Sequence, residues 1–383
     1  MHPEERAVSA DVEEAAEEIL LPTAAAAPQL DLNCRAAILI EQGSGRVLYE
    51  KNADERREVA SITKLMTALL VLEALDRDEI ALTDSVQISP RAAAMKGSQA
   101  LLDASAVYPL EDLLRTTIMA SANDSAVALS EYIAGSEENF VDRMNRRAAE
   151  LGMTNTNYVN CTGYPQSGQY TTARDVCRLC CEIAKHPRYN QYASVWIDKL
   201  THPGGRVTDL TNTNRLVRFY EGCDGYKTGS TDAAKYCLAA TAEKNGMRLV
   251  AIVLGTPVSQ TRFNEARQML DYGFATYRRV VIANKGDLLG QNVEVRGGSA
   301  ESVPLALGSG LSMLLKNGQQ SGLSLSVQLP ESVDAPIARG DVIGLVDVLL
   351  DGQVIAKLNC VAAEDVPRPG FIEGLLRILR NWR

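Results

Sequence analysis

Ser61 and Lys64 stand three residues apart in Ala60-Ser61-Ile62-Thr63-Lys64-Leu65-Met66-Thr67, at the head of an apolar run with helical character. On a helix, positions i and i+3 share a face, so the Ser61 hydroxyl and the Lys64 amine come within hydrogen-bond reach. A serine in the first turn also feels the positive end of the helix dipole, which favours a developing alkoxide. The pair is a nucleophile beside its base, on condition that the lysine is neutral. Alone, it equally describes an N-cap serine next to a solvated lysine. Partners elsewhere in the chain decide between the two, and Ser121-Ala122-Asn123 and Lys227-Thr228-Gly229 supply them. Each tripeptide is common. In this order, with Ser61 opening a buried helix, Ser121 in a loop between helices and Lys227 on a strand, the set is highly specific.

The elements that must hold these residues can be read in outline. Ala36–Gln42 and Arg46–Glu50, joined by Gly43-Ser44-Gly45, describe a β-hairpin. A polar loop delivers the chain to Ser61, and Leu65–Leu75, apolar on nearly all faces, predicts a helix buried at the centre of its domain. Short strands are expected at Ser85–Ser89 and Ala100–Asp103. A helix is expected from Tyr108-Pro109 towards Met119, another from Ser121 to about Ala134, and an amphipathic one over 137–151. Asp224–Thr231 predicts a lone strand entering a glycine-marked site, Tyr236–Glu243 and Arg248–Gly255 a hairpin, and Phe263–Tyr277 a closing helix.

Composition narrows the class. The 383 residues carry a net charge of -9, which argues against a nucleic-acid partner. No apolar run reaches the ~20 residues that span a bilayer. Residues 1–28 are acidic and alanine-rich, with no export signal visible in them. Of the eight cysteines, Cys177-x-x-Cys180-Cys181 invites a redox or zinc reading. It falls inside Thr171–Ala184, a helical pattern, with no second Cys/His pair at metal spacing, so small residues of a buried helix face are expected and no metal. A Ser-His-Asp hydrolase needs a histidine. His2 is at the tail, and His186 and His202 both precede prolines, which predicts turns at the surface.

After residue 280 helical patterns give way to short apolar alternations (Val293–Arg296, Leu323–Gln328, Val342–Val346, Leu349–Ala356), as in a small all-β domain. Beyond Pro367-Arg368-Pro369-Gly370, the residues Phe371, Leu375, Ile378, Leu379 and Trp382 share one helical face, with Glu373, Arg377, Arg380 and Arg383 on the other. That describes a helix lying in a membrane interface, or one docking on its own domain or on a second copy.

The three spaced motifs resemble those of serine β-lactamases and penicillin-binding proteins. Residues 35–280 resemble more closely the D-alanyl-D-alanine carboxypeptidases, low-molecular-weight penicillin-binding proteins of the penicillin-binding protein 5 type. The Gly45-to-Glu50 hairpin strand, the Ala60–Thr67 box, Asn160-Cys161-Thr162-Gly163, Tyr170-Thr171-Thr172-Ala173-Arg174-Asp175 and Leu270-Asp271-Tyr272-Gly273-Phe274 all carry the likeness. The resemblance implies an α/β (α+β) transpeptidase-like domain over 29–280, with a central antiparallel sheet flanked by helices. A small all-β domain over 281–366 and an amphipathic helix over 367–383 follow, the helix docking on the outer face of the cytoplasmic membrane.

For the site, the resemblance implies removal of the terminal D-Ala from peptidoglycan stem peptides, β-lactams as covalent inhibitors, and no cofactor. Ser61 forms the acyl-enzyme and Lys64 takes its proton, kept neutral by burial and by a second ammonium at Lys227. Ser121 relays a proton to the leaving amine, and Asn123 orients Lys64 and the peptide amide. The N–H groups of Ser61 and Ser230 hold the oxyanion, while Lys227, Thr228, Gly229 and Arg262 border or bind the terminal carboxylate. Ser230 is a departure, since many members carry histidine there, and side-chain contacts to the carboxylate must differ. A serine β-lactamase, or a catalytically weak penicillin-binding scaffold, are the alternatives. The first would need a deacylating glutamate between Asn123 and Lys227, and none lies in an evident active-site loop.

Overall fold

In the computed structural model, which describes residues 30–370, the first strand is Ala36–Glu41 (β1), buried along its whole length. Its continuous apolar sequence is that of a strand covered on both faces. Val47–Lys51 (β2) returns beside it through a turn in which Gly45 adopts φ 69°. The chain then makes one turn of 3-10 helix at Ala60–Thr63 and continues as α1 (Lys64–Asp76), buried on nearly every face.

A two-stranded ribbon, β3 (Ser85–Gln87) with β4 (Val107–Pro109), brackets the short α2 (Pro90–Ala93). Helices α3 (Leu110–Met119), α4 (Asn123–Ala134) and α5 (Glu137–Glu150) follow. Their ends are written locally. Glu111 and Asp112 sit in the first turn of α3, Gly135 closes α4 at φ 77°, and the Ser136 side chain accepts the Asn139 N–H at the start of α5. Next come α6 (Ala173–Ile183), α7 (Pro187–Ala193), the hairpin β5 (Ile197–Thr201) and β6 (Val207–Thr211), and α8 (Leu216–Phe219). The unit closes with β7 (Cys223–Thr231), β8 (Lys235–Lys244), β9 (Met247–Thr256) and α9 (Ser259–Thr276).

Its sheet has the order β2-β1-β9-β8-β7, antiparallel at every pairing. Helices α9 and α6 pack against it, and α3, α4 and α6 surround α1. The edge strand β7 runs against the 3-10 turn that carries Ser61.

The second compact unit starts at Arg278. It contains most of β10 (Tyr277–Ala283), then β11 (Leu288–Arg296), β12 (Ser302–Leu307), β13 (Leu311–Lys316), β14 (Leu323–Gln328), β15 (Ser332–Asp334), β16 (Val342–Leu350) and β17 (Gln353–Ala362). Six of these form a sheet of order β14-β16-β17-β12-β11-β15, in which β11 and β15 are parallel neighbours. Val303, Leu305, Val346, Val348, Leu358 and Cys360 make its core.

Several expectations need correction. Ala100–Asp103 is not a strand: the N–H groups of Ala100 and Leu102 donate to the Asp124 carboxylate (2.9 and 3.1 Å) instead of to a neighbouring strand. The strand over Asp224–Thr231 is not alone, because the short turn 232–234 brings β8 straight back beside it. Leu349–Ala356 is two strand ends and a turn, with Asp351 and Gly352 at φ 51° and 81°, a pair of positive values suited to a tight hairpin. The hairpin β5–β6 and the helix starting at Pro187 were not anticipated.

His202 is buried rather than superficial, its Nδ1 2.7 Å from the Tyr108 hydroxyl and its Nε2 2.8 Å from Thr208 Oγ1. All eight cysteines are free thiols, and only Cys181 is not fully buried. Among the described residues, no helix is long and apolar enough to cross a membrane. The acidic leader (1–28) and the amphipathic segment from Phe371 onwards lie outside the described residues.

Candidate active site

Ser61 is reached through Ala60 in the left-handed region (φ 51°), an unusual conformation for a residue with a Cβ. Two glycines make that turn possible. A Cβ on Gly163 would stand 1.9 Å from the Ala60 carbonyl oxygen, and one on Gly229 would stand 2.3 Å from the Val59 carbonyl oxygen and 3.1 Å from the Ser61 nitrogen. Segment 160–163 and strand β7 therefore press on the nucleophile turn from two sides, closer than any side chain would permit.

Lys64 opens α1, is 1% exposed, and places Nζ 3.0 Å from Ser61 Oγ. Nζ also donates to the Thr162 carbonyl at 2.7 Å. One turn further along the same face, Thr67 Oγ1 donates to the Cys161 carbonyl at 2.6 Å. Segment 160–163 is thus latched to α1 at two points. It is shaped from within by Asn160 Oδ1, which accepts the N–H of Gly163 (2.7 Å) and of Thr162 (3.2 Å). Glu137 Oε1 accepts the Cys161 N–H at 3.0 Å from behind.

Burial pushes the Lys64 ammonium down to about 7, against the pull of Cys161 and the Asp124 carboxylate in the other direction. At neutral pH a large share of this amine is uncharged, with a lone pair free to accept the Ser61 proton. Burial is the leading cause for both amines: Lys227, the second ammonium expected to help keep Lys64 neutral, is itself lowered well below its usual value by burial first, then by Lys64 and Arg262.

Ser121 is buried in the α3–α4 connection with φ 65°. Asn123 begins α4. Its backbone N–H donates to the Ser98 carbonyl (2.8 Å) and its Nδ2 to the Lys96 carbonyl (2.6 Å), so it braces the 96–98 segment; none of its described hydrogen bonds runs to Lys64. Asp124, fully buried, accepts the N–H groups of Ala100, Leu102 and Ser125. Sequence reasoning passed over Asp124, and its position beside Asn123 was the available hint.

On β7, Lys227 and Thr228 are buried and Ser230 is exposed. Arg262 reaches this strand from α9, with Nη1 donating to the Gly229 carbonyl at 3.1 Å and Nε buried without a partner. Burial lowers its pKa to about 10. Ser61, Asn123 and Ser230 line one cleft of about 570 Å³. Lys64, Ser121, Lys227, Thr228 and Gly229 stand behind those walls. Arg262 borders a different cavity, with Trp196, Arg215 and Phe219. The cleft has further walls that sequence reasoning did not name: Ser98, Gly163-Tyr164-Pro165, and the turn Thr231 to Tyr236.

A buried amine at a hydroxyl, beside an open cleft flanked by an edge strand, suits attack on a carbonyl carbon with an acyl intermediate. Comparisons with known proteins point the same way. The family model described as D-alanyl-D-alanine carboxypeptidase matches residues 22–258, and that of the penicillin-binding protein 5 C-terminal domain matches residues 277–368. The chain is 37% identical over 355 residues to the D-alanyl-D-alanine carboxypeptidase DacF of Bacillus subtilis, covering 92% of this chain and 91% of that protein. It is 35% identical over 370 residues to DacC of Escherichia coli, covering 92% and 90%. Among solved structures, penicillin-binding protein 5 of Haemophilus influenzae superposes with a TM-score of 0.71 at 31% identity, over 89% of this chain and 99% of that one. Penicillin-binding protein D2 of Listeria monocytogenes, in its ampicillin-bound form, gives 0.58 at 33% identity, over 64% of this chain and all (100%) of that one.

Proposed function

The chain belongs to the D-alanyl-D-alanine carboxypeptidases, and from that membership we propose how its own residues carry the reaction. It is a serine-type enzyme that acts on peptidoglycan stem peptides through an acyl-enzyme, and β-lactams occupy the same site. The observation that carries the assignment of residues is the 3.0 Å approach of a buried Lys64 to Ser61.

Ser61 Oγ attacks the carbonyl carbon of the penultimate D-Ala while its proton passes to Lys64 Nζ. The tetrahedral oxyanion sits between the backbone N–H groups of Ser61 and Ser230, donors worth roughly 2.7–4 kcal/mol each where such groups have been removed. The C–N bond then breaks, and the departing amine of D-Ala takes a proton from Lys64 by way of Ser121. Water, activated by the same amine, releases the shortened peptide. Lys227 and Thr228 receive the terminal carboxylate, and Arg262 supports them through the Gly229 carbonyl it holds. Asn123 keeps the 96–98 wall in place beside the bound peptide.

Release of D-Ala from a diacyl-Lys-D-Ala-D-Ala peptide, and mass spectrometry after penicillin treatment, test this reading in wild type and Ser61→Ala. The wild type should release D-Ala and gain a penicilloyl adduct, and the variant should do neither. A covalent adduct that persists in Ser61→Ala overturns the assignment.

We infer from the family that the enzyme works peripherally, on the extracytoplasmic side. We assign docking on the membrane surface to 367–383, from its apolar face and its arginine face. Flotation of the full chain with anionic vesicles, compared with a chain ending at Gly370, tests that assignment; equal flotation of the two refutes it.

A further inference from the structure

We propose that the turn joining β7 to β8 reads the side chain of the substrate residue just before the penultimate D-Ala, through Asp232 and Lys235. The side chain it selects ends in an ammonium and a carboxylate on one carbon. The proposal rests on the carboxypeptidase reading above and names its substrate more closely.

Among the described residues lining the cleft in front of Ser61, Asp232 and Lys235 are the charged ones. Both are exposed, and neither side chain has an ion pair or a hydrogen bond within the described part of the protein. Away from the cleft, Arg248 holds Asp224 and Glu243, and Arg174 holds Glu50 and Asp54. The two charges sit on a built turn rather than a loose loop. Ala234 is fully buried and its N–H donates to Thr231 Oγ1 at 3.0 Å, while Thr231 pairs with Lys235 and Ser230 with Tyr236.

Direction along the strand assigns the substrate position. With the terminal carboxylate at Lys227 and Thr228 and the oxyanion at Ser230, the peptide upstream of the scissile bond continues past Thr231 towards this turn. An extended peptide laid along an edge strand advances about 3.3 Å per residue. The residue immediately upstream of the penultimate D-Ala therefore arrives beside Asp232 and Lys235. A side chain with one charge is attracted by one of them and repelled by the other. A zwitterionic end satisfies both: its ammonium meets Asp232 and its carboxylate meets Lys235. The facing wall, Tyr164 and Pro165, adds no charge to that balance.

The test compares D-Ala release from acetyl-X-D-Ala-D-Ala peptides in which X is 2,6-diaminoheptanedioate (both charges), lysine (ammonium only), 2-aminoheptanedioate (carboxylate only) or norleucine. In the wild type, kcat/KM should be highest for the zwitterionic peptide, by about five- to tenfold over norleucine, the scale expected of exposed ion pairs. Lys235→Glu should move the preference to the lysine peptide, and Asp232→Lys to the carboxylate-only peptide. Each variant is judged by the ratio between its own substrates. Values for all peptides within about twofold of one another in the wild type, or ratios unmoved in both variants, overturn the proposal while leaving the carboxypeptidase reading intact. Absence of release from every peptide, together with absence of a penicillin adduct, removes that reading and this proposal with it.

Discussion

Lys64 Nζ lies 3.0 Å from Ser61 Oγ and 2.7 Å from the Thr162 carbonyl oxygen, with the lysine almost wholly withdrawn from water. Burial is what lowers its pKa to about 7, and this fixes the shape of the pH dependence. The base works only when neutral, so acylation by penicillin should rise with pH through a midpoint near that value. One pH unit below the midpoint the rate should be about one tenth of its plateau. Stopped-flow acylation between pH 5 and pH 9 measures it, and a flat profile across this range excludes Lys64 as the base.

Gly163→Ala should separate the nucleophile turn from its support. The added Cβ meets the Ala60 carbonyl at 1.9 Å, and the residue sits at φ 77°. Segment 160–163 must retreat, taking the Thr162 carbonyl away from Lys64. We expect a loss of about 1–3 kcal/mol in stability and acylation slower by about a hundredfold. Gly168→Ala serves as a control: it also carries a positive φ, but its Cβ would meet Val159 at an ordinary 3.7 Å. Urea unfolding and penicillin acylation should single out position 163.

Asp124→Asn should act on stability and on the cleft wall together. The carboxylate accepts three backbone N–H groups, two of them from the Ala100–Leu102 stretch that would otherwise have no partner. An amide offers one oxygen and turns an NH2 towards the remaining donors. The expected loss is about 1.5–3 kcal/mol, the range for hydrogen bonds to a charged group, read from the urea midpoint. A midpoint unchanged from wild type would show that the loop is held by something else.

His202 predicts a second pH effect with its own sign. Burial, then Arg206, lowers its pKa below the usual 6.5, against Asp103 and Asp124. Arg206 Nη2 donates to Nδ1 at 3.1 Å, so Nδ1 is the acceptor and Nε2–H donates to Thr208. Below pH 6.5 the unfolded chain takes up a proton that the folded state resists, so this stability is present above that pH and is lost as pH falls through the folded value. The Tm of the wild type should drop more steeply between pH 7 and pH 5 than that of His202→Asn. Parallel curves would refute the linkage.

The parts of this protein that were legible in the sequence are those written locally. The β1–β2 hairpin, the buried α1, the helix starts at Pro109 and Ser136, and the placement of Ser61, Ser121 and Lys227 on their elements follow from periodicity, caps and turns. What escaped is set by contacts distant in sequence. Ala100–Asp103 looks like a strand until Asp124 claims its N–H groups, and His202-Pro203 looks like a surface turn until Tyr108 and Arg206 enclose it. The donors and acceptors around Lys64 were invisible for the same reason: Thr162 and Cys161 are about a hundred residues away and touch α1 through carbonyls, which no residue type reveals. The bond from the Arg262 guanidinium to the Gly229 carbonyl is another such contact, since the sequence marks the arginine but not the backbone oxygen it reaches.

The two glycines that pinch the Ala60–Ser61 turn give the enzyme a preorganised nucleophile. Gly163 and Gly229 come from segments more than sixty positions apart in the chain, and both must be seated before Ala60 adopts its left-handed geometry. The alignment of the hydroxyl with its base is therefore set by the folded contacts of the free enzyme. An incoming peptide meets a nucleophile already at rest in its firing position. The same arrangement ties the site to two distant segments: loosening 160–163, or parting β7 from the Ala60–Ser61 turn, would release Ser61 from its base.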